Sequence, residues 1–309
     1  MCGIAGFTGT KNEQLIRQMS EDMKHRGPDG DGFYIDEHIS LLNRRLAIID
    51  RKGGDQPIFN EDKTLAVLYN GEIYNYIELR EILEKAGHTF STKSDTEVIV
   101  HAYEEWGEKS FDKLNGMFAI ALYDIAHKRL ILARDHFGIK PLYYAYTEKR
   151  LIFASELKPI LRSGWIEKKV NERILYRYLA YRIHDDQEET FFEGIYHLMP
   201  GQLLVVENGT FEKREFSTLE SDLNTSIEKK SKSPVTQKDI DSFSELFTDS
   251  IRRRLISEVP AGTCLSGGLD SSSVVAVVNK LLMEHRKETE SVGKVQNTFS
   301  AVFPGSTNN

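Results

Sequence analysis

Apolar residues alternate or run in short blocks through much of the first half of the chain, and recur at helical spacing in a few separate stretches. Ile4, Ala5 and Phe7 read as a strand at the start. Over residues 13–24, Leu15, Ile16, Met19 and Met23 fall on one side of a predicted amphipathic helix. Strands are predicted over 32–35, 39–42, 46–50 and 65–69, and helices over 77–86, stopped by Gly87, and 98–106. Ser94-Asp95-Thr96-Glu97 would open the second helix as a cap with acidic residues in its first turn. A hairpin over 117–124 and 129–134 precedes a strand at 151–154 and a short helix at 157–161. Strands, then helices, then strands again predict an α+β layered domain with mostly antiparallel sheets.

The pattern changes after residue 216. Residues 217–238 are rich in Ser, Thr, Glu, Lys and Asn and contain Ser231-Lys232-Ser233-Pro234. Such a stretch buries too little apolar surface to order itself, which predicts a flexible linker. Residues 240–256 then place Phe243, Leu246, Phe247, Ile251 and Leu255 on one side of a helix that ends before Pro260. A short strand at 261–265, with Cys264 read as buried, feeds Ser266-Gly267-Gly268-Leu269-Asp270-Ser271-Ser272-Ser273 and a helix at 274–283. Residues 297–303 read as a second strand. The length of 309 residues suits about two domains, here 1–216 and 239–309.

Composition narrows the function. A net charge of −7 disfavours a general nucleic-acid binder or a membrane-surface protein. Two cysteines, Cys2 and Cys264, make no disulfide framework and point to a reducing, cytoplasmic setting. No apolar run approaches the roughly 18 residues of a membrane helix, and the start lacks a signal-peptide pattern.

The chemistry gathers at Cys2. Removal of Met1 would place a thiol nucleophile and a free α-amine on one residue, and such an amine, titrating near 8, can take the thiol proton. Asn70-Gly71 follows the strand at 65–69; a side-chain amide and the next backbone N–H can form an oxyanion hole, and Gly71 would clear the approach of a substrate. The same dipeptide is also a strong hairpin-turn signal. Arg44 or Arg45 could clamp a carboxylate, and spacing does not choose between them. In His25-Arg26-Gly27-Pro28-Asp29, Arg26 and Asp29 could organise a rigid turn. Asp95 could cap its helix or face a ligand ammonium. The strand, glycine loop and helix around 261–283 form an anion cradle that lacks the Gly-Lys-Ser/Thr of a Walker loop.

Taken together, Cys2-Gly3-Ile4, His25 to Asp29, Arg45-Leu46-Ala47-Ile48-Ile49-Asp50, Asn70-Gly71-Glu72-Ile73-Tyr74-Asn75, Ser94-Asp95 and Arg134-Asp135-His136-Phe137-Gly138 resemble a class II glutamine amidotransferase domain. The resemblance implies an N-terminal-nucleophile fold, a four-layer αββα sandwich. It implies that Cys2 attacks the glutamine amide, that Asn70 and Gly71 stabilise the oxyanion, and that Arg45, Leu46, Ala47, Ile48, Ile49, Glu72 and Asp95 bind glutamine. Arg45 would hold the α-carboxylate, and Glu72 and Asp95 the amino end. Ser266 to Ser272 is similar to the pyrophosphate loop of adenylating enzymes, and with the first domain it points to the glutamine-hydrolysing asparagine synthetase family. That implies an α/β nucleotide-binding unit. Ser266, Gly267, Gly268, Ser271 and Ser272 would hold ATP phosphates, Asp270 would hold Mg2+, and Leu265 and Ala301 would lie near the adenine or ribose.

By the same resemblance the substrates are glutamine, aspartate and ATP with Mg2+, and no cofactor is tightly bound. The family continues beyond the equivalent of residue 309, so 239–309 reads as a truncated synthetase domain with exposed apolar surface, unable alone to complete synthesis. A homodimer, or another chain supplying the missing half, is left open. So are another carboxylate acceptor such as a sugar acid, and a non-catalytic remnant that binds glutamine or ATP. Fusions to sugar-isomerase or phosphoribosyl-transferring partners are disfavoured, because the loop matches neither.

Overall fold

The central strands of the first unit are buried on both faces, so each sheet needs a cover on either side. The computed structural model describes residues 1–147, 150–230, 234–303 and 305. It divides into two compact units, Met1–Thr225 and Ser226–Asn309.

The first unit begins with β1 (Gly3–Thr8), α1 (Glu13–Asp22), β2 (Gly30–Ile35) and β3 (Ile39–Arg45). It continues through β4 (Ile58–Phe59), β5 (Leu65–Ile73), α2 (Tyr76–Ala86), α3 (Glu97–Trp106) and α4 (Ser110–Lys113). Next come β6 (Gly116–Asp124), β7 (Arg129–Arg134), β8 (Tyr143–Thr147), β9 (Arg150–Ala154), α5 (Leu157–Arg162) and α6 (Glu172–Tyr181). It closes with β10 (Tyr196–His197), β11 (Gln202–Glu207) and β12 (Thr210–Glu215).

Two six-stranded sheets result, ordered β10-β8-β9-β1-β3-β2 and β12-β11-β7-β6-β5-β4. Alternation along each strand divides its side chains between two cores. Ile4, Ile39, Leu41 and Phe153 of the first sheet meet Leu68, Ala119, Ala121 and Leu132 of the second. On the outer face of the first sheet, Ala5, Phe7 and Leu42 pack against Leu15, Ile16 and Met19 of α1 and Ile160 of α5. Val67 and Tyr69 face Leu79 and Leu83 of α2 and Val98 and Ala102 of α3. This is the expected αββα sandwich.

Asn70 and Gly71 lie inside β5, opposite Ala119 and Phe118 of β6, so the hairpin-turn alternative does not hold. A Cβ on Gly71 would stand 2.1 Å from the Met117 carbonyl oxygen. The residue is small first because β6 lies against it. Gly71→Ala is expected to force the two strands apart and cost about 1–3 kcal/mol. An unchanged melting temperature would contradict that.

Other differences from the sequence reading have local causes. Residues 46–50 form a loop, because β3 stops at Arg45 and the chain turns to line a cleft. The pattern did not announce α6, β8, β11 or β12. Within the stretch read as a flexible linker, α7 (Leu219–Lys230) is helical, opened by Thr218, whose carbonyl and hydroxyl engage the Asp222 N–H and carboxylate at 3.0 and 2.9 Å. Composition there argued from burial and overlooked the helix propensity of Leu, Glu and Lys. Residues 231–233 of that stretch lie outside the described residues. No helix among the described residues is long and apolar enough to cross a membrane.

The second unit contains α8 (Gln237–Arg253), β13 (Thr263–Cys264), α9 (Leu269–Met283) and β14 (Thr298–Phe299), with β13 and β14 parallel. Phe247, Ile251 and Leu255 meet Val274, Val277, Val278 and Leu281 of α9 in its core. Ile240, Phe243 and Leu246 on the earlier turns of α8 are exposed. Cys264 is exposed, not buried, since strand alternation turns it away from the side taken by Thr263.

Candidate active site

Strand β1 carries Cys2 just before its first residue, at one end of the sandwich. There a cleft of about 300 Å³ is lined by Cys2, the loop after β3, Tyr69 to Glu72 of β5, residues 94–96, Met117, Ile139 and Lys140. The half-buried thiol accepts a hydrogen bond from the Leu46 N–H at 3.3 Å and donates to the Leu46 carbonyl at 3.5 Å. Burial pushes the thiol up in pKa, while the bond from Leu46, the terminal amine and Lys140 pull the other way. That amine is Met1's, and its own burial lowers its pKa.

The turn at residues 25–29 holds this end in place. Arg26 donates to the Cys2 carbonyl at 2.9 Å and pairs with Glu156 at 3.0 Å. The Asp29 carboxylate accepts from the Ala47 N–H at 2.8 Å. Arg26 and Asp29 therefore fasten the strand start and the cleft loop, not each other. Ala47 binds this turn and is the one member of the predicted glutamine set that does not line the cleft.

Asn70 is the anomaly of the site. It is 1 % exposed, yet neither its amide nitrogen nor its amide oxygen has a hydrogen-bond partner among the described residues. Buried amides are almost always paired, so an orphan facing a cleft marks a place for a ligand. Next to it, the Phe118 N–H and C=O are both turned to Asp135, at 3.1 and 2.9 Å. The Gly71–Phe118 pair is thus not hydrogen-bonded, and the Gly71 N–H points out of the edge of β5. Its neighbours on that edge are already occupied, the Tyr69 N–H by Gln56 Oε1 at 2.7 Å and the Ile73 N–H by Asp95 Oδ2 at 3.0 Å.

Asp95 does not cap a helix. Its buried carboxylate accepts from the Tyr69 hydroxyl at 3.0 Å as well as from Ile73, and burial pushes its pKa up against those bonds. The two arginines separate by strand parity. Arg44 turns outward to Asp31, at 3.1 Å, and toward Glu21. Arg45 lines the cleft, where its terminal nitrogens donate to the carbonyls of Ile49, Asp50 and Arg51 and, at 2.7 Å, to Asp55. Those bonds shape the loop, and a carboxylate could be clamped there in exchange for the 84 % exposed Asp55.

The sequence reading missed Lys140, along with Gln56 and Tyr69. Lys140 is buried beside Cys2 and reaches the Met1 sulfur at 3.5 Å; burial lowers its pKa, opposed by Glu72 and Cys2. The signal lay in the adjoining Arg134 to Gly138 motif, whose work is to build this loop. The Asp135 carboxylate accepts from the N–H groups of Phe118, Phe137, Ile139 and Lys140 at 3.0–3.1 Å. Arg134 donates to the carbonyls of Gly138, Lys140 and Leu198. Asp135→Ala would leave four N–H groups without an acceptor, and a loss of about 3–5 kcal/mol is expected. Denaturant titration checks this, and a loss under about 1 kcal/mol would contradict it.

In the second unit, the loop after β13 enters α9 at Gly268, which has no side-chain cap. Gly267 adopts φ +81°, with nothing within 4 Å of where a Cβ would stand. Ser271 accepts from the Ser266 N–H at 3.2 Å and closes the turn. The Leu265 N–H donates to Phe299 and the Ser300 hydroxyl to Leu265, placing Leu265 and the chain toward Ala301 at the carboxyl ends of both parallel strands. Ligands of open α/β sheets bind at such ends.

Residues 1–217 match the family model for the glutamine amidotransferase domain, and residues 242–309 that for asparagine synthase. Glutamine-hydrolysing asparagine synthetase 1 of Bacillus subtilis is 36 % identical, over 98 % of this chain and 47 % of that protein. The glutamine-hydrolysing asparagine synthetase of Zea mays is 35 % identical, over 99 % and 46 %. The chain spans about half the length of these curated relatives. Among solved structures, the glutamine phosphoribosylpyrophosphate amidotransferase of B. subtilis, complexed with ADP and GMP, aligns with a TM-score of 0.51 at 19 % identity. That alignment covers 70 % of this chain and 49 % of the other, and it shows likeness of fold. The chain belongs to the glutamine amidotransferase family, and the segment that follows that domain matches asparagine synthase.

Proposed function

We propose that the first unit hydrolyses glutamine at Cys2 and that the ammonia serves an ATP-dependent synthesis of asparagine from aspartate. The unpartnered Asn70 amide in the cleft that holds the thiol carries this reading. Once Met1 is removed, the Cys2 amine takes the thiol proton and the thiolate attacks the side-chain amide carbon of glutamine. The oxyanion is received by Asn70 Nδ2 and the Gly71 N–H, and the amine returns its proton to the departing ammonia. Water, deprotonated by the same amine, then releases glutamate and restores the thiol. Arg45 receives the α-carboxylate, and Glu72 and Asp95 the ammonium. Leu46, Ile48 and Ile49 form the apolar wall.

In the second unit the N-terminus of α9 and the Gly267 turn receive the ATP phosphates, with Ser266, Gly268, Ser271 and Ser272 around them. The open space over Gly267 suits a phosphate chain. Asp270, exposed in the first turn of α9, would hold Mg2+, which supplies charge neutralisation to those phosphates. Glutamine supplied to the purified chain with a free Cys2 should yield glutamate and ammonia in equal amounts. Absence of glutamate from such a preparation would remove the reading.

A further inference from the structure

Outside the cleft, against the outer face of the second sheet, four metal-ligating side chains converge. Glu61 comes from the turn between β4 and β5, His88 from the chain after α2, and His101 and Glu104 from adjacent turns of α3. One donor atom from each lies within 4.8 Å of all the others. His101 Nδ1 is 3.0 Å from Glu104 Oε2 and 3.6 Å from Glu61 Oε2, and His88 Nδ1 is 3.6 Å from the same Glu104 oxygen. Donors at about 2.0–2.2 Å from a tetrahedral zinc stand roughly 3.4 Å apart, so these three spacings need only a few tenths of an ångström of adjustment.

The supporting shell is also in place. The Thr89 N–H donates to Glu61 Oε1 at 2.8 Å, and Asn60 Nδ2 to Glu104 Oε1 at 2.7 Å, leaving the other oxygen of each carboxylate for the cluster. The far nitrogen of His101, Nε2, is buried without a hydrogen-bond partner and faces Glu97 Oε1 at 3.8 Å. A carboxylate behind a ligating imidazole is the usual outer partner of a zinc site. Phe90 closes one side, its ring centroid 4.5 Å from that of His101. Two imidazoles with two carboxylates suit zinc and its neighbours, whereas Mg2+ and Ca2+ favour all-oxygen sets.

We propose that Glu61, His88, His101 and Glu104 bind one divalent transition-metal ion of the zinc class, as a structural cross-link between the β4–β5 turn, the segment after α2, and α3. Glu97, behind His101, also accepts the N–H groups of Ser91 and Thr92 at 2.7 Å, in the segment that leads to Asp95 of the cleft. The ion would thus brace one wall of the cleft without touching it.

The test uses the full chain with Cys2→Ala and Cys264→Ala, so that neither thiol can bind metal. Equilibrium dialysis against Zn2+ with elemental analysis should give one zinc per chain and a raised melting temperature. Adding His88→Ala and Glu61→Gln, both outside the buried core, should abolish both effects while leaving the metal-free melting temperature unchanged. No zinc in the parent, or equal zinc in the quadruple variant, would overturn the site. Co2+ gives a readout that needs no further variant. The strong visible absorption of a four-coordinate ion is expected, and the weak spectrum of the hydrated ion would overturn the proposal.

Discussion

Cys2→Ala is expected to lower glutamate release from glutamine on the order of 10⁴-fold or more, to the level of the assay blank, with little change in stability. Cys2 is the one thiol lining the cleft among the described residues, and the hydroxyls and amine beside it are weaker nucleophiles at their free pKa. Its structural contacts are two weak hydrogen bonds to Leu46, so the fold has little to lose. Glutamine affinity should persist, because the proposed binding groups Arg45, Glu72 and Asp95 remain, and isothermal titration of the variant with glutamine separates binding from chemistry. A variant that still released glutamate at a tenth of the parent rate would move the nucleophile elsewhere.

Asn70→Ala is expected to lower kcat by about 10²–10³-fold and to leave the KM for glutamine nearly unchanged, as removal of one oxyanion donor does elsewhere. The physical ground is that the donor is idle in the free protein. Both polar atoms of Asn70 lack partners among the described residues, so truncation strands no hydrogen-bonding group. Stability should therefore hold steady or rise slightly, the reverse of what a structural asparagine would give. A lowered melting temperature with unchanged kcat would assign Asn70 to the fold. Parallel steady-state kinetics and thermal melts decide between the two.

How much of this was legible in the sequence depended on whether a residue's task is local. Helices α1, α2 and α3 were readable because their apolar spacing is a property of one segment. The thiol at position 2 and the Asn70-Gly71 pair stood out because adjacent residues carry each feature, and the structure brings both to one cleft. Lys140 was not, since its place beside Cys2 is set by an Asp135 carboxylate that gathers four backbone N–H groups from two segments. The choice between Arg44 and Arg45 depended on which face of β3 is inner, and that is known only once β1 and β2 pair with it. Arg26 and Asp29 looked like partners through proximity in sequence, but each found a better one 24 and 18 residues away. Residues 46–50 had the apolar content of a strand; they line a cleft instead, where apolar side chains are equally at home.

The central claim is that an N-terminal thiol at Cys2 carries the acyl group. The most direct measurement is to quench the working protein during glutamine turnover and read its N-terminal peptide by mass spectrometry. The account predicts a peptide that begins at Cys2 and carries a γ-glutamyl thioester. A turning-over protein whose peptide retains Met1, or whose acyl group sits on another residue, would contradict it.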